Sequence, residues 1–330
     1  MRPTGSMSGS KLISRKQPIE AYHYNERRSI MRKDIEFKTN DGVTLRGWYY
    51  LPEGAKENIP TIVMAHGYSA VKEMYLDSFA EVFCEAGFAA LVYDNRNLGA
   101  SDGEPRQEID PWRQVNDYRD AITFAGTLPE VDKSRIGVWG SSYSGGHVIV
   151  VAALDRRVKC VVCQVPLISG LRNARRLIRS DLFAGVRANF DADRESCYAG
   201  NPPAMIKVVA EETGEPCALP TDDSTEFFLD THKLRAPAWK NEVTLKSVEM
   251  FIEYEPGDYI SKICPTPFFL AVAEGDHLVP ADLAIEAYEK ALEPKKLLIL
   301  PGGHFDAYTG EAFKVNSAAQ RDWFVQYLKP

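Results

Sequence analysis

The chain has 330 residues, 45% of them hydrophobic and 26% charged, with 39 Lys+Arg against 46 Asp+Glu for a net charge of −7. That is the composition of an ordinary globular protein, long enough for one large domain or two small ones. A mildly acidic chain is poorly matched to nucleic acid or an anionic membrane, so neither is expected as a partner.

No apolar run reaches the roughly 18 residues that a membrane helix needs. The most apolar stretch is 148–154. The N-terminal MRPTGSMSGSKLISRK has no apolar segment of the secretory kind. Residues 1–30 read as an extension, and the Gly-Ser-Met and Ser-Gly-Ser around Met7 are consistent with a cloning remnant. Of the six cysteines only Cys160 and Cys163 are close, in a CVVC run that reads as a buried strand. Positions three apart on a strand face opposite sides. The expectation is reduced structural thiols in a cytoplasmic protein, with no metal or redox spacing and no cofactor.

Taken in chain order, 34–39 and Thr44–Leu51 alternate like strands around Asp41-Gly42, which predicts a hairpin. The run at 61–65 is short and continuously apolar. Leu76, Phe79, Ala80 and Phe83 then recur at helical spacing, closed by Gly87. Another apolar run, 88–93, leads to a helix marked by Val115, Tyr118, Ile122 and Ala125. A strand at 136–139, a helix over Tyr143–Leu154 and a strand at 158–165 follow. The alternation stops near Ser169 and resumes with a strand at 267–273, a helix at 281–292, a strand at 296–300 and a helix at 311–328. Short apolar strands alternating with amphipathic helices predict a mostly parallel sheet covered on both faces, an α/β fold. The charged, aromatic-bearing segment 171–262 interrupts it and reads as a helical cap. It would sit over the carboxyl ends of the strands, where ligands bind in such sheets. The domain reading is a core over 31–170 and 263–330 with this cap inserted.

The run Gly140-Ser141-Ser142-Tyr143-Ser144-Gly145-Gly146 joins a predicted strand directly to a predicted helix. A nucleophile on so sharp a turn needs small residues two before and two after it. Gly140 and Ser144 flank Ser142 in that way. A second register, with Ser144 as the nucleophile, remains open, although the strand ends where Ser142 fits best. A plain Ser/Gly-rich turn without chemistry is the bland alternative.

Partners for a serine nucleophile stand in loops after later strands, in the order Ser, Asp, His. Asp276 follows the 267–273 strand and His304 follows the 296–300 strand, 28 residues further on. A serine hydroxyl becomes nucleophilic when a neutral imidazole takes its proton, and a carboxylate fixes that imidazole. Glu274 and Asp306 are rival acids, less well placed in sequence. His277 reads as a pocket-wall or surface residue and His147 as a helix-face residue, while His23 and His232 carry no pattern. An oxyanion hole would use the Tyr143 N–H and a donor from the loop Ala65-His66-Gly67-Tyr68-Ser69-Ala70, namely the Tyr68 N–H or its phenol.

Together, the loop at 65–68, the stretch from Asp94 to Gly103, the elbow at 140–146, Asp276 and His304 resemble the α/β-hydrolase superfamily over about residues 31–330. Within it, the wording from Trp139 to His147 resembles the branch of X-Pro dipeptidyl peptidases and cocaine esterase. It is more similar still to the small fungal polyketide transferases and hydrolases of secondary metabolism. The resemblance implies an α/β-hydrolase fold and gives the 94–103 stretch a structural rather than catalytic role. The extra β-sandwich of the peptidases is not visible, which disfavours peptidase activity.

The expected activity is acyl transfer through a Ser142 acyl-enzyme, on an ester or thioester of a bulky apolar, polyketide-like acyl group. The same triad acting on a C–C bond, in hydrolysis or condensation, is the alternative. Phe183, Trp239, Phe251 and Tyr254 are candidate substrate contacts from the cap, with cap-core packing as their plainer reading. A small-molecule substrate is the expected partner. An acyl-carrier domain is a candidate donor, and a homodimer is one candidate assembly.

Overall fold

The computed structural model describes residues 30–212 and 214–329. The extension expected over 1–30 lies outside these residues apart from Ile30, as does His23. Strands β1 (Met31–Lys38) and β2 (Thr44–Leu51) form the expected hairpin. Gly42, at φ 89°, supplies the left-handed residue of its turn. Then come β3 (Ile59–Ala65), α1 (Leu76–Glu85), β4 (Ala89–Tyr93), α2 (Pro111–Ala125), β5 (Val131–Ser141), α3 (Tyr143–Leu154) and β6 (Val158–Gln164). The segment between β6 and the next sheet strand holds α4 (Gly170–Leu177), α5 (Phe183–Tyr198), β7 (Met205–Ile206), α6 (Asp222–Leu234), β8 (Val243–Thr244) and α7 (Leu245–Glu253). The chain ends with β9 (Phe268–Ala273), α8 (Ala281–Lys290), β10 (Lys295–Leu300) and α9 (Gly310–Leu328).

Eight strands make one sheet in the order β1-β2-β4-β3-β5-β6-β9-β10. β2 runs antiparallel to both of its neighbours, and every pairing from β4 to β10 is parallel. Parallel strands need crossovers, and the helices that make them cover both faces. Helices α1 and α9 pack on one face, and α2 and α3 on the other. This explains why β3, β4 and β9 are buried along their whole length and read as continuous apolar runs.

The sequence pattern places most elements within a few residues. The strand expected at 136–139 is longer because Val131 pairs with Ile59 across a register shift. Its polar residues Asp132 to Arg135 hide that extension from an apolar pattern. The segment expected to lack sheet-like runs does contain a two-residue antiparallel ladder, β7 with β8. Strands that short leave no period-two signal. All six cysteines are free thiols. Among the described residues no helix is long and apolar enough to cross a membrane.

Candidate active site

β5 ends at Ser141 and α3 begins at Tyr143, so Ser142 alone makes the turn between strand and helix. It does so at φ 58° and ψ −118°. Such a conformation costs a non-glycine residue on the order of 1–3 kcal/mol and persists only when its surroundings over-determine it. They do here: the Ser142 N–H donates to the Gln164 carbonyl at 2.8 Å, and its carbonyl accepts from Leu167 at 3.0 Å and Gly146 at 3.2 Å. Gly140 is required, since a Cβ there would run into the Ser144 carbonyl. Ser144, standing where glycine is usual, is buried and donates its hydroxyl to the His66 carbonyl.

The imidazole of His304 meets Ser142, with Nε2 3.0 Å from Oγ. His304 Nδ1 lies 2.6 Å from Asp276 Oδ2. The other oxygen of Asp276 accepts the N–H groups of Leu278 at 2.9 Å and Val279 at 2.7 Å. Those two bonds orient the carboxylate and leave one oxygen for the histidine. The network requires Nδ1–H to donate to Asp276, so Nε2 accepts the serine proton. Both side chains are 1% exposed, and so this hydrogen bond is sheltered from water. The rival acids point elsewhere. Glu274 is exposed, and Asp306 accepts the Gly303 N–H at 2.6 Å.

The loop after β3 passes directly over the serine. A Cβ on Gly67 would stand 2.8 Å from Ser142 Cβ and 3.3 Å from its Oγ. His66 donates from Nε2 to the Met74 carbonyl at 2.8 Å and accepts the Gly67 N–H on Nδ1 at 2.8 Å. Burial drives its pKa down to about 4, so it stays neutral in this role. Tyr68 and Tyr143 are both buried, and neither phenol has a hydrogen-bond partner among the described residues. Their rings meet edge to face at 5.4 Å. Burial pushes both phenols above their ordinary range and keeps them as neutral O–H donors.

The four aromatic candidates separate. Phe251 stacks on Tyr143 at 5.5 Å and 12° and meets Tyr68 edge-on at 5.6 Å. Tyr254 touches Tyr143 at 5.6 Å and donates its hydroxyl to His147 Nδ1 at 3.1 Å. Trp239 stacks on Phe228 and donates Nε1–H to the Ser69 carbonyl at 3.1 Å and to its hydroxyl at 3.2 Å. Phe183 packs against a second cluster formed by Ala174, Phe190 and Ile252, which Phe251 also touches.

The sequence pattern did not single out Gln114, whose Oε1 accepts His147 Nε2–H at 2.9 Å. Nor did it mark Tyr308, whose hydroxyl meets Ser141. The available signal was a lone histidine in the otherwise apolar α3. Of the other histidines, His277 is exposed and His232 Nδ1 donates to the Ala236 carbonyl at 3.0 Å. Among the described residues no group of three or more His, Cys, Asp or Glu is arranged to hold a metal. A surface groove of about 580 Å³ opens beside the site, between Thr221 and Asp222 on one side and Gly275, His277, Gly303 and Phe305 on the other.

A mostly parallel eight-stranded sheet with its second strand reversed, and a serine on a strained strand–helix turn facing a histidine and an aspartate from later loops, define an α/β-hydrolase. The chain belongs to the family described as X-Pro dipeptidyl-peptidase (S15 family), which matches residues 41–306. It is 36% identical over 293 residues to a thiohydrolase of Eupenicillium brefeldianum, covering 88% of this chain and 92% of that protein. It is 31% identical over 301 residues to the polyketide transferase claH of Penicillium crustosum, covering 89% of this chain and 96% of the relative. Among solved structures, the α/β hydrolase GrgF from Penicillium sp. sh18 superposes with a TM-score of 0.78 at 30% identity, covering 90% of this chain and 99% of the other.

Proposed function

We propose that the protein is a serine hydrolase or acyltransferase in which Ser142, His304 and Asp276 form the catalytic triad. The observation that carries this is the continuous hydrogen-bonded path from Ser142 Oγ through His304 to Asp276. Ser142 attacks the carbonyl carbon of an ester or thioester, and His304 Nε2 takes the hydroxyl proton. The tetrahedral oxyanion is held by the Tyr143 N–H together with Tyr68, through its N–H or its phenol. The first N–H groups of a helix have no partner within it, which leaves the Tyr143 amide free for this task. One such donor lowers the barrier by on the order of 3 kcal/mol. His304 returns its proton to the leaving oxygen or sulfur. Water or an alcohol, deprotonated by the same imidazole, then releases the acyl group.

The helical segment between β6 and β9 is the cap in this reading, and Phe251 with Tyr254 forms the acyl side of the site. The aromatic lining suits a bulky apolar acyl group. The thiohydrolase and polyketide transferase relatives support a polyketide-like thioester or ester. The test is turnover of short and long p-nitrophenyl esters and N-acetylcysteamine thioesters, with and without a competing alcohol. Turnover is expected in the wild type and loss of at least a thousandfold in Ser142→Ala. An acylated alcohol as product assigns transferase, and free acid alone assigns hydrolase. Wild-type rates in Ser142→Ala refute the triad.

A further inference from the structure

We propose that Tyr308 is a positioning residue that sets the nucleophile and the base in register, acting through its hydroxyl on Ser141. The inference rests on the reading of Ser142 and His304 just given. Tyr308 sits four residues after His304 in a single 3-10 turn, Asp306–Tyr308. Its N–H donates to the Phe305 carbonyl at 3.1 Å, so it moves with the loop that carries the base. Its hydroxyl lies 2.5 Å from Oγ of Ser141, the residue before the nucleophile. Its ring lies parallel to that of His66, at 5.5 Å and 14°. One buried side chain therefore touches the base loop, the elbow and the loop that carries Tyr68.

The Ser141 end of this link is itself held. Gln164 Oε1 accepts from Asn316 Nδ2 at 2.5 Å and from Gln320 Nε2 at 3.0 Å. That leaves the Gln164 amide to donate to Ser141 Oγ, which it does at 3.1 Å. Gln320 Oε1 in turn accepts the Trp139 indole N–H at 2.7 Å, and Gln320 Nε2 also reaches Asn316 Oδ1 at 2.7 Å. Trp139, Ser141, Gln164, Asn316 and Gln320 are fully buried. Rotating any member orphans a partner in a water-free interior, which is costly. The network is thus a rigid reference from which Tyr308 positions the base.

Among the described residues the elbow and the base loop share two hydrogen bonds, Ser142 with His304 and Ser141 with Tyr308. The first must break and re-form as the proton moves during reaction. The second has no part in the chemistry and can hold the spacing throughout. Displacements well under 1 Å at such a pair are enough to slow reaction severely.

The test compares wild type, Tyr308→Phe, Ser141→Ala and the double variant on a p-nitrophenyl ester, with Ser142→Ala alongside and melting temperatures recorded. Each single variant is expected to lower kcat about tenfold with KM within twofold. The double variant is expected to fall no further than the worse single, because both remove the same link. A kcat within twofold of wild type in either folded single variant overturns the proposal, as does a double variant whose losses multiply. Should Tyr308→Phe fail to fold, Ser141→Ala breaks the same hydrogen bond from its other end and is held to the same twofold threshold. Activity surviving in Ser142→Ala refutes the proposed function instead, so the two failures are told apart.

Discussion

His147 shows how a single residue can be placed by sequence and still be defined by its contacts. It falls on α3, whose remaining residues after the elbow are apolar, one turn beyond the strained serine. A helix-face position is legible from that. Its full burial is not, nor are the two partners that satisfy both ring nitrogens, Tyr254 and Gln114. Burial takes its pKa down to about 3, against about 6.5 for a free imidazole. In acid the unfolded chain therefore binds a proton at this residue that the folded chain refuses. Stability falls as pH drops from about 6.5 toward 3, and this residue contributes about 1.4 kcal/mol per pH unit within that window. A His147→Gln variant, compared with wild type by urea denaturation at pH 4, 5 and 6, is expected to lose stability less steeply by that amount. Parallel slopes would show that the folded protein protonates this ring.

At the scale of elements, the turn between β5 and α3 and the helical segment above it follow different rules. The turn is shaped locally, where Gly140 clears the Ser144 carbonyl, and is pinned by its neighbour β6, whose end and following loop supply the backbone of Gln164 and Leu167 to Ser142. The helical segment is held by long-range aromatic contacts. α6 sets Phe227 in a stack on Phe305 at 4.3 Å, next to His304. Its neighbour Phe228 stacks on Trp239, which is bonded to Ser69 in the loop after β3. Trp239 thus fastens the segment to the loop that carries Tyr68. Trp239→Phe keeps most of the apolar contact and loses the indole N–H, at a cost of about 1 kcal/mol. Limited proteolysis is expected to cut residues 199–242 of that variant about fivefold faster than in wild type, with the sheet intact. Equal cutting rates would show that the indole bonds do not fasten the segment.

At the scale of the whole molecule, a buried ion pair ties three distant parts of the chain. Arg96, after β4, donates to Asp117 of α2 at 2.7 and 2.5 Å and to Asp41 of the hairpin turn at 2.7 and 3.0 Å. The Arg96 side chain is 3% exposed, Asp117 is fully buried and Asp41 is half exposed. The two acids respond oppositely. Burial lifts Asp117 to about 6 despite the guanidinium, while Arg96 pulls the more solvated Asp41 below its ordinary range. Arg96→Met strands Asp117 without a counter-charge and is expected to cost about 3–5 kcal/mol. Adding Asp117→Leu is expected to restore most of that loss in a guanidinium denaturation series. If the double variant is no more stable than Arg96→Met, the cost lies in lost packing instead.

What the sequence determines by itself is the layered α/β architecture and the small set of candidate catalytic residues. Both are local. A strand buried on two faces must be an apolar run; Ser142 and Asp276 lie within a few residues of such a run's carboxyl end, and His304 follows the partly exposed edge strand β10. Strand order, the reversal of β2 and the small β7–β8 ladder depend on which elements pack together, and no local pattern encodes them. The same holds for the aromatics of 171–262. Phe251 bridges Tyr143 and the cluster of Ala174, Phe190 and Ile252, while Phe183 packs against that cluster away from Tyr143. Both look alike in sequence, since a helix reveals which face is apolar but not what that face will meet. The link from Tyr308 to Ser141 spans 167 positions. Only the packing of the chain after β10 against the end of β5 brings those two hydroxyls together.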